Sequence, residues 1–331
     1  MTISKLSIPS VGGPDVELNP ALVTHRSASD VFEQAENLPE WRQSYWQLSN
    51  GGFDGETWSA SINGLQTFRE RMNRAVDEQG DAPAGRLVVG VANRLIGEGF
   101  WGGRALHDDS VLLLTDASEL TFKTPIESDF SFMTVSRELL GERCSSVEME
   151  LLEQVLKVRP AAERVAPVYA AKLRTILNLA LDSPVDGNAY AYEFLTSDLC
   201  LAALAALGTS GIEREARTTQ RVHRYIVNAV RDRILSDPGS PPTVSQLCIH
   251  LKISQRSLHH AFQQVLGVSP VKYLRTVRLH LARRALRTSP STPGRIQQVA
   301  LDCGFWHLGM FANQYFELFG ELPSKTTMVP H

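Results

Sequence analysis

The chain has little cysteine and no paired cysteine motif. Its 331 residues include four cysteines, and no two of them are arranged as CxxC. Lone cysteines are typical of buried thiols in a reducing compartment and exclude a small disulfide-stapled fold. The metal-binding patterns His-x-His and HExxH are also absent, so no metal site is expected.

Long hydrophobic runs are missing as well. The longest apolar run, Leu199–Gly208, is about half the ~20 residues that span a bilayer. The start, MTISKLSIPS, lacks the apolar core of a secretory signal. The glycine-rich stretch Gly97–Gly103 is not followed by the Lys-Ser/Thr of a phosphate loop, so a hairpin or barrel rim is expected there. We expect a cytoplasmic protein without a membrane partner.

Acidic and basic residues are unevenly distributed along the chain. From Glu215 to His331 there are 15 Lys and Arg against 6 Asp and Glu, whereas the preceding part has 18 against 30. Seven basic residues and no acidic residue lie between Pro270 and Arg295. The net charge of −3 therefore conceals a basic C-terminal third. Such a third indicates a polyanionic partner, although a basic face is often merely solvated.

Short β-rich runs dominate the first part of the chain after an irregular start. Residues 1–29 have little periodicity and are predicted to form a flexible arm. Gly, Asp and Pro separate the runs LVVGVANRLI, SVLLLTD, ELTFKT and DFSFMTV. Strands without long helices between them are typical of an antiparallel barrel or sandwich, which we place at 30–140.

The periodicity becomes helical after Ser146. Helices are predicted at SVEMELLEQVLKV, AAERVAPVYAAKLRTILNLAL and AYAYEFLTSDLCLAALAALG, with breaks at Pro160, at DSPVDGN and at Gly208. We assign 141–211 to a helical linker, whose apolar faces serve either a homodimer surface or packing within the domain. A further helix is predicted from Glu213 to Leu235.

An internal repeat occupies the C-terminal part. LHHAFQQVLGVSP (Leu258–Pro270) recurs 53 positions later as FANQYFELFGELP (Phe311–Pro323), with apolar residues, glycine and proline in register. Each copy is predicted to be a helix that ends at its glycine and is followed by proline. A shorter helix precedes each copy, TVSQLCIHL with Thr243 as N-cap and RIQQVALDCG, and a short turn separates the two helices.

Helix, short turn and helix is the arrangement of the DNA-binding helix-turn-helix unit. The sequence therefore predicts two units, at 243–267 and 295–320. One long helix joins them, with Ser269 as N-cap and Pro270 in its first turn. Its roughly 18 residues span about 27 Å. With the flanking turns, this helix can place the two second helices about one DNA turn, ~34 Å, apart. We assign 212–331 to an all-α DNA-binding domain.

Two such units joined by one long helix, with the recurring patterns SL…F…LG.SP and GF…F…F…FG…P, resemble the AraC/XylS-type transcriptional regulators of bacteria. This resemblance covers about the last hundred residues. GFWHLGMFA, and more loosely DVFEQAENLPEWRQSYWQL, GGFDGE, TFRE and GFWGGRAL, are similar to the ethanolamine-utilisation regulator branch. The sequence departs from the family at His260 and Asn313, where Arg is frequent.

The resemblance implies an α+β fold whose N-terminal barrel or sandwich is a cupin-like sensor domain. It also implies activation in response to a small-molecule effector, with promoter DNA and RNA polymerase as partners. In the ethanolamine branch the signal is ethanolamine with adenosylcobalamin. For this chain no cofactor is predicted and the effector is left open.

Exposed positions on and just before the second helix of each unit are the candidates for reading DNA. Asn and Gln can pair with adenine, Arg suits guanine or a phosphate, and Met or Trp can meet a thymine methyl. The candidates are Gln255, Arg256, Ser257, His259, His260, Gln263, Trp306, His307, Gly309, Met310, Asn313 and Gln314. The residues predicted to face the core of the last helix are Leu308, Phe311, Ala312, Tyr315 and Phe319. Those predicted to contact phosphates are Lys272, Arg278, Arg283 and Arg284.

A second candidate site lies in the predicted barrel. Seven polar or aromatic residues near the strands could bind an anionic or nucleotide-like effector, or form a solvated surface: Arg69, Arg71, Arg74, Asn93, Arg94, Trp101 and His107. The chain is thus predicted to be a ligand-responsive transcriptional activator and not an enzyme. Two alternatives stay open, a cupin-type enzyme fused to a DNA-binding module and a regulator controlled by a partner protein.

Overall fold

The chain folds into an N-terminal part made of β-sheets and a C-terminal part made of helices. The structure is a computed structural model and describes residues 23–38, 40–62, 65–115, 119–143, 161–182, 217–237, 240–288 and 292–326, with a few residues between 145 and 205. The expected α+β class is confirmed. Most of the predicted helices at 146–158 and 189–208, and with them most of the candidate dimer surface, lie outside the described residues.

Strands of the described residues form two antiparallel sheets. They are β1 (Thr24–Ala28), β2 (Arg42–Gln47), β3 (Gly55–Ile62), β4 (Leu65–Met72), β5 (Val76–Asp81), β6 (Arg86–Ile96), β7 (Phe100–Trp101), β8 (Arg104–Ala105), β9 (Ser110–Thr115), β10 (Glu119–Lys123), β11 (Glu127–Ser136) and β12 (Ala161–Arg164). The larger sheet has the order β1-β3-β4-β11-β6-β9-β12 and the smaller one β2-β5-β10-β7-β8. The predicted antiparallel architecture is confirmed.

The helices of the described residues lie in both parts of the chain, and those from Arg217 onward form the C-terminal part. They are α1 (Val31–Glu36), α2 (Arg137–Arg143), α3 (Pro167–Asp182), α4 (Arg217–Ser236), α5 (Val244–Leu251), α6 (Gln255–Leu266), α7 (Pro270–Arg287), α8 (Arg295–Asp302), α9 (Leu308–Phe319) and α10 (Pro323–Thr326). None of them is both long and apolar enough to cross a membrane.

An aromatic core fills the space between the two sheets. Phe68, Phe130 and Phe132 come from the larger sheet, and Trp101 and Phe122 from the smaller one. The rings of Phe68 and Phe132 stack at 5.0 Å, and those of Trp101 and Phe122 meet edge to face at 5.0 Å. Aromatic pairs of this kind add about 0.5–1.5 kcal/mol each beyond the area that they bury.

The sequence prediction was wrong at two strands. Residues 24–28, assigned to a flexible arm, form β1 and pair with β3. Ala161–Arg164, assigned to the start of a helix, form β12 and pair with β9, so the helix begins only at Pro167. In both cases an available sheet edge decides the conformation, because strand pairing overrides weak local propensity.

Buried carboxyl groups lie between α1, β2, β4 and β5. Glu70 accepts hydrogen bonds from Gln34 Nε2 (2.9 Å) and from the hydroxyl of Tyr45 (3.0 Å). Glu78 accepts one from Gln43 Nε2 (3.3 Å). Burial raises the pKa of Glu70 to about 7 and that of Glu78 well above its ordinary range. The interior of the sheet part therefore holds acidic groups that favour their protonated form.

Local capping signals define the helices of the C-terminal part. Thr243 forms a capping box with Gln246 at the start of α5, and Ser269 caps α7 ahead of Pro270. Helices α6 and α9 end at Gly267 (φ 66°) and Gly320 (φ 72°), which adopt the left-handed conformation that glycine tolerates best. The predicted caps are confirmed.

Helix α7 connects two separate helical cores. Tyr273, Leu274 and Val277 pack with α4, α5 and α6 in the first core. Ala282 and Leu286 pack with α8 and α9 in the second. This single 18-residue helix therefore packs into both cores.

The sheet part and the helical part share buried contacts. Asp77 on β5 pairs with Arg231 of α4 and accepts a hydrogen bond from the hydroxyl of Tyr273 on α7 (2.8 Å). Trp46 and Leu48 join the first helical core. The two parts are thus packed against each other directly.

A second set of contacts reaches the end of α9. Gln47 Nε2 donates to the Leu318 carbonyl (2.6 Å), and the Gly51 amide donates to the Glu317 carbonyl (2.9 Å). His280 of α7 lies beside them, with its Nε2 3.1 Å from the Gln47 carbonyl, so this nitrogen carries the proton and donates. Burial lowers the pKa of His280 to about 4, which keeps the ring neutral near pH 7.

Candidate nucleic-acid interface

The first helix pair, α5 and α6, has a tight turn at 252–254. Lys252 takes the left-handed conformation (φ 54°), and its amide donates to the carbonyl of Ile249 (3.3 Å). Ser254 then caps α6 by accepting a hydrogen bond from the Ser257 amide (3.0 Å). Leu258 and Phe262 fix the inner face of α6 in the core, so its opposite face points to solvent.

The second helix pair, α8 and α9, has a longer turn at 303–307. Gly304 (φ 79°) turns the chain, and the Phe305 amide donates to the Ala300 carbonyl (2.8 Å). Phe311 and Tyr315 hold α9 in the core. Burial raises the pKa of the Cys303 thiol at this turn to about 11, so the thiol is protonated near neutral pH.

Solvent exposure agrees with most of the predicted DNA-reading positions. All of the candidates on α6 are exposed, as are the candidates of the second pair except Gln314, which is partly buried. Leu308, predicted to face the core, is 39% exposed, because it is the first residue of α9 and projects past the core. The outer faces of α6 and α9 are therefore free for contact.

Two large apolar side chains stand out on the second pair. Trp306 is 78% exposed and Met310 is 58% exposed. Their neighbour Asn313 is also exposed, one helical turn beyond Met310. Exposed apolar groups beside amides suit a base edge, where methyl groups and hydrogen-bonding atoms alternate.

His260 has a structural neighbour that the sequence did not indicate. Its ring meets that of His223 on α4 edge to face, with centroids 4.8 Å apart. Burial and the proximity of His260 lower the pKa of His223. His260 thus contacts α4 while it remains exposed on α6.

The predicted phosphate contacts divide into two groups. Lys272 and Arg284 are exposed, and their side chains have no hydrogen-bond or ion-pair partner within the described chain. Arg275, which the sequence reasoning did not select, is exposed on α7 in the same way. It could have been found by the rule that selected Lys272, since the two lie three residues apart on one helix face.

Arg278 and Arg283 are instead engaged within the protein. Arg278 is directed toward the carbonyl of Pro241 (3.4 Å). Arg283 pairs with Asp30 (2.7 Å) and Glu321 (3.2 Å) and stacks on the ring of Phe319. Two carboxylates already neutralise Arg283, so in this conformation it is not available to a phosphate.

The candidate effector residues do not form one site. Arg71 and Arg94 line a cavity of about 380 Å³ at the end of β4, β6 and β11. Each is paired with a carboxylate, Arg71 with Glu56 (3.0 Å) and Arg94 with Glu127 (3.3 Å). Asp54 and Asp129 line the same cavity, so acidic groups outnumber the basic ones. This excess of acidic groups disfavours the binding of an anion, which the sequence predicted here.

The remaining effector candidates have structural roles or lie apart. Asp129 holds Arg69 through two hydrogen bonds (2.6 and 2.9 Å) and accepts one from Asn93 (2.8 Å). Arg74 donates to the Asn73 carbonyl (2.6 Å), and His107 is exposed in the turn before β9. Trp101 is a core residue and not a ligand contact, because it is 1% exposed and its indole N–H is satisfied by the Leu113 carbonyl (3.1 Å).

Comparison with known proteins identifies the C-terminal segment. Residues 247–328 match a family model described as a helix-turn-helix domain. The chain is 40% identical over 107 residues to the XylDLEGF operon transcriptional activator 2 of Pseudomonas putida, which covers 32% of this chain and 63% of the relative. It is 29% identical over 198 residues to a probable thc operon regulatory protein of Rhodococcus erythropolis, covering 54% of this chain and 58% of the relative. The chain thus spans less than two thirds of either relative.

Among solved structures, the chain is similar to one described as the AraC-like transcriptional activator CuxR. It matches 78% of this chain and 95% of its own, with a TM-score of 0.42 and 15% identity. Residues 247–328 of the chain are thus similar to a helix-turn-helix domain, and the matching relative of Pseudomonas putida is named as a transcriptional activator.

Proposed function

We propose that the whole chain is a transcriptional regulator that binds promoter DNA through both helix pairs. Helices α6 and α9 enter successive major grooves, and the 18 residues of α7 separate them by about 27 Å along its axis. The single observation that supports this most directly is the exposure of Met310 and Asn313 on α9 and of Trp306 in the turn that precedes it. Lys272 and Arg275 supply positive charge to the same helical part.

We further propose that the protein is an activator and that the sheet part receives the signal. The relative from Pseudomonas putida is itself named as a transcriptional activator. A small-molecule effector, contact with RNA polymerase and assembly as a homodimer complete this proposal. Ethanolamine with adenosylcobalamin remains an effector candidate by resemblance alone, and the cupin-like identity of the sheet part is likewise part of the proposal.

Selection from a random duplex pool tests the proposal with the full chain. We expect enriched sequences that contain two short half-sites about 10 base pairs apart, one for each helix pair. The logarithm of the affinity should fall linearly with the logarithm of the salt concentration. Enrichment of no sequence above the starting pool would contradict the proposal.

A variant pair refines the test. Lys272→Ala should reduce the salt slope by about 1 and weaken all duplexes alike, since a phosphate contact carries no sequence information. Arg42→Ala is the matched control, because Arg42 is an exposed residue of the sheet part. Its slope and affinity should equal those of the unmodified chain.

A further inference from the structure

A cavity of about 400 Å³ lies between the sheet part and the helical part. Helix α1 and strand β2 form one wall, and the ends of α4 and α7 form the other. It is separate from the acid-lined cavity at the end of β4, β6 and β11. Its volume lies near the lower end of the ~300–1,000 Å³ that small-molecule sites occupy, so a metabolite of modest size fits it.

Apolar side chains line much of this interdomain cavity. Phe32 and Trp46 come from the sheet part, and Ile234, Leu235 and Leu281 from the helical part. Leu235 is 47% exposed. Because the transfer of apolar surface out of water is favourable, the cavity favours a ligand with an apolar body.

Two of the four charged residues that line the cavity already have partners. Glu33 Oε1 lies 2.6 Å from Arg287 Nη2, and the other carboxylate oxygen accepts from the Ser29 amide (3.1 Å). Arg287 also pairs with Asp30 (3.2 Å). These groups are neutralised by one another and leave little charge for a ligand.

The other two charged residues that line the cavity have no partner in the part of the chain that the structure describes. Glu36 ends α1 on one wall and Arg284 lies on α7 on the opposite wall. Both are exposed, and neither side chain has a hydrogen bond or ion pair to any described residue. In particular they do not pair with each other, so the cavity offers one free anion and one free cation.

We infer that the interdomain cavity binds a small amphipathic zwitterion, an α-amino acid with an apolar side chain. Arg284 receives the carboxylate, for which its planar guanidinium is suited, and Glu36 receives the ammonium group. The apolar side chain lies against Phe32 and Trp46. A simple acid leaves Glu36 unmatched and a simple amine leaves Arg284 unmatched, so both charges of the ligand are needed.

Such a ligand touches both parts of the molecule at once. It joins α1 and β2 to α7, the helix that positions both helix pairs. Binding therefore stabilises the arrangement of the two parts seen here relative to any arrangement in which they separate. That the ligand acts as the effector rests on the proposed function, whereas its binding does not.

Calorimetric titration of the full chain tests the inference. The probes are L-phenylalanine and L-leucine, the amines that lack their carboxylate (phenethylamine and 3-methylbutylamine), and the acids that lack their ammonium group (3-phenylpropanoate and 4-methylpentanoate). We expect saturable one-to-one binding of at least one amino acid. Its amine and its acid should each bind about tenfold more weakly or worse, since each loses one charged hydrogen bond.

Two variants assign the charges. Arg284→Gln should weaken the amino acid and the acid but not the amine, and Glu36→Gln should weaken the amino acid and the amine but not the acid. Arg275→Gln and Glu40→Gln are matched controls, because both residues are exposed and neither lines the cavity. Their affinities should equal those of the unmodified chain.

Three results would overturn the inference. They are absence of binding for both amino acids at millimolar concentration, binding of an acid or amine as tight as that of its parent amino acid, and equal losses for all probes in both variants. DNA binding is measured separately by pool selection. A chain that selects DNA but binds no amino acid contradicts only the inference, and a chain that binds an amino acid but selects no DNA contradicts only the proposed function.

Discussion

Asn313 and Phe311 lie on opposite faces of α9, within one turn of each other. Asn313 is exposed, whereas Phe311 is 1% exposed and its ring lies 5.6 Å from that of Tyr315. If Asn313 reads a base, Asn313→Ala should cost about 1–3 kcal/mol on selected DNA and little on a scrambled duplex. Titration of both duplexes measures this. Equal loss on the two duplexes would mean that Asn313 contacts the backbone only.

Phe311→Ala is the companion variant and should act on folding. It removes a buried aromatic ring, so the free energy of unfolding should fall by about 3–5 kcal/mol. Asn313→Ala should leave it unchanged, because its side chain is exposed. Melting curves of both variants separate a role in DNA recognition from a role in core packing. A similar loss of stability in both would mean that Asn313 also contributes to packing.

Glu70 gives the stability of the protein a pH dependence. Burial raises its pKa to about 7 in the folded state, above the ordinary 4.5. The folded state therefore favours the protonated carboxyl. This contribution is complete below the unfolded pKa and is lost as pH rises through the folded pKa. Glu70 thus lowers the free energy of unfolding between about pH 5 and pH 8, but His280, whose pKa is lowered to about 4, offsets this fall below about pH 6.5, so the net fall should appear above that pH.

Glu70→Gln should flatten this fall, since an amide does not titrate. It should not abolish the fall, because burial also raises the pKa of Glu78. The exposed Glu40 provides the control, and Glu40→Gln should keep the slope of the unmodified chain. Urea unfolding at a series of pH values measures all three proteins, and identical slopes would show that Glu70 is ionised in the folded state.

At the scale of elements, the two repeated helices end in the same way but meet different surroundings. A Cβ atom at Gly267 would lie 3.5 Å from Phe100 and 3.7 Å from Lys123, which is ordinary contact. A Cβ atom at Gly320 would lie 2.8 Å from the Gly52 amide nitrogen, which belongs to the sheet part. The repeat is therefore symmetric in sequence and asymmetric in packing.

Replacing each glycine by alanine should expose this asymmetry. Gly267→Ala should cost about 1–2 kcal/mol, the usual penalty of a left-handed conformation. Gly320→Ala should cost more, because the backbone of the sheet part must also move. Chemical unfolding of the two variants compares them directly, and equal costs would indicate that the contact between α9 and Gly52 is absent in solution.

The elements of the helical part could be predicted because their signals are local. Thr243, Ser269 and the two terminal glycines act within one turn of the residues that they cap. The partners of Asp77 and Arg283 could not be predicted, since each bond joins residues far apart in sequence. Trp101 misled for a related reason. The sequence does not show whether its indole N–H has a partner. The fold shows that this N–H donates a hydrogen bond to the Leu113 carbonyl.

For the whole molecule, the Asp77–Arg231 pair is the most buried link between the two parts. The Arg231 side chain is 1% exposed and that of Asp77 0%. Asp77→Asn should destabilise the protein by about 3–5 kcal/mol, because a buried guanidinium would be left without its charge partner. Tyr273 would also lose its anionic acceptor.

The double variant Asp77→Leu with Arg231→Met should lose less than the single variant. Replacing both members of a buried ion pair by apolar residues avoids the uncompensated charge. Chemical unfolding of the single and double variants measures the difference. A single variant as stable as the unmodified chain would show that water reaches Arg231 and that the interface is open.

The bonds from Gln47 and Gly51 to the last carbonyls of α9 limit how this chain can exchange domains during evolution. A helix end normally takes its cap from adjacent residues, but here part of the cap is supplied from 271 positions away. A recombinant that kept the helical segment and acquired an unrelated N-terminal part would lose these donors along with Asp77. Such a hybrid would inherit a second helix pair whose terminal carbonyls face water, and compensating substitutions should accumulate first around Glu317 and Leu318.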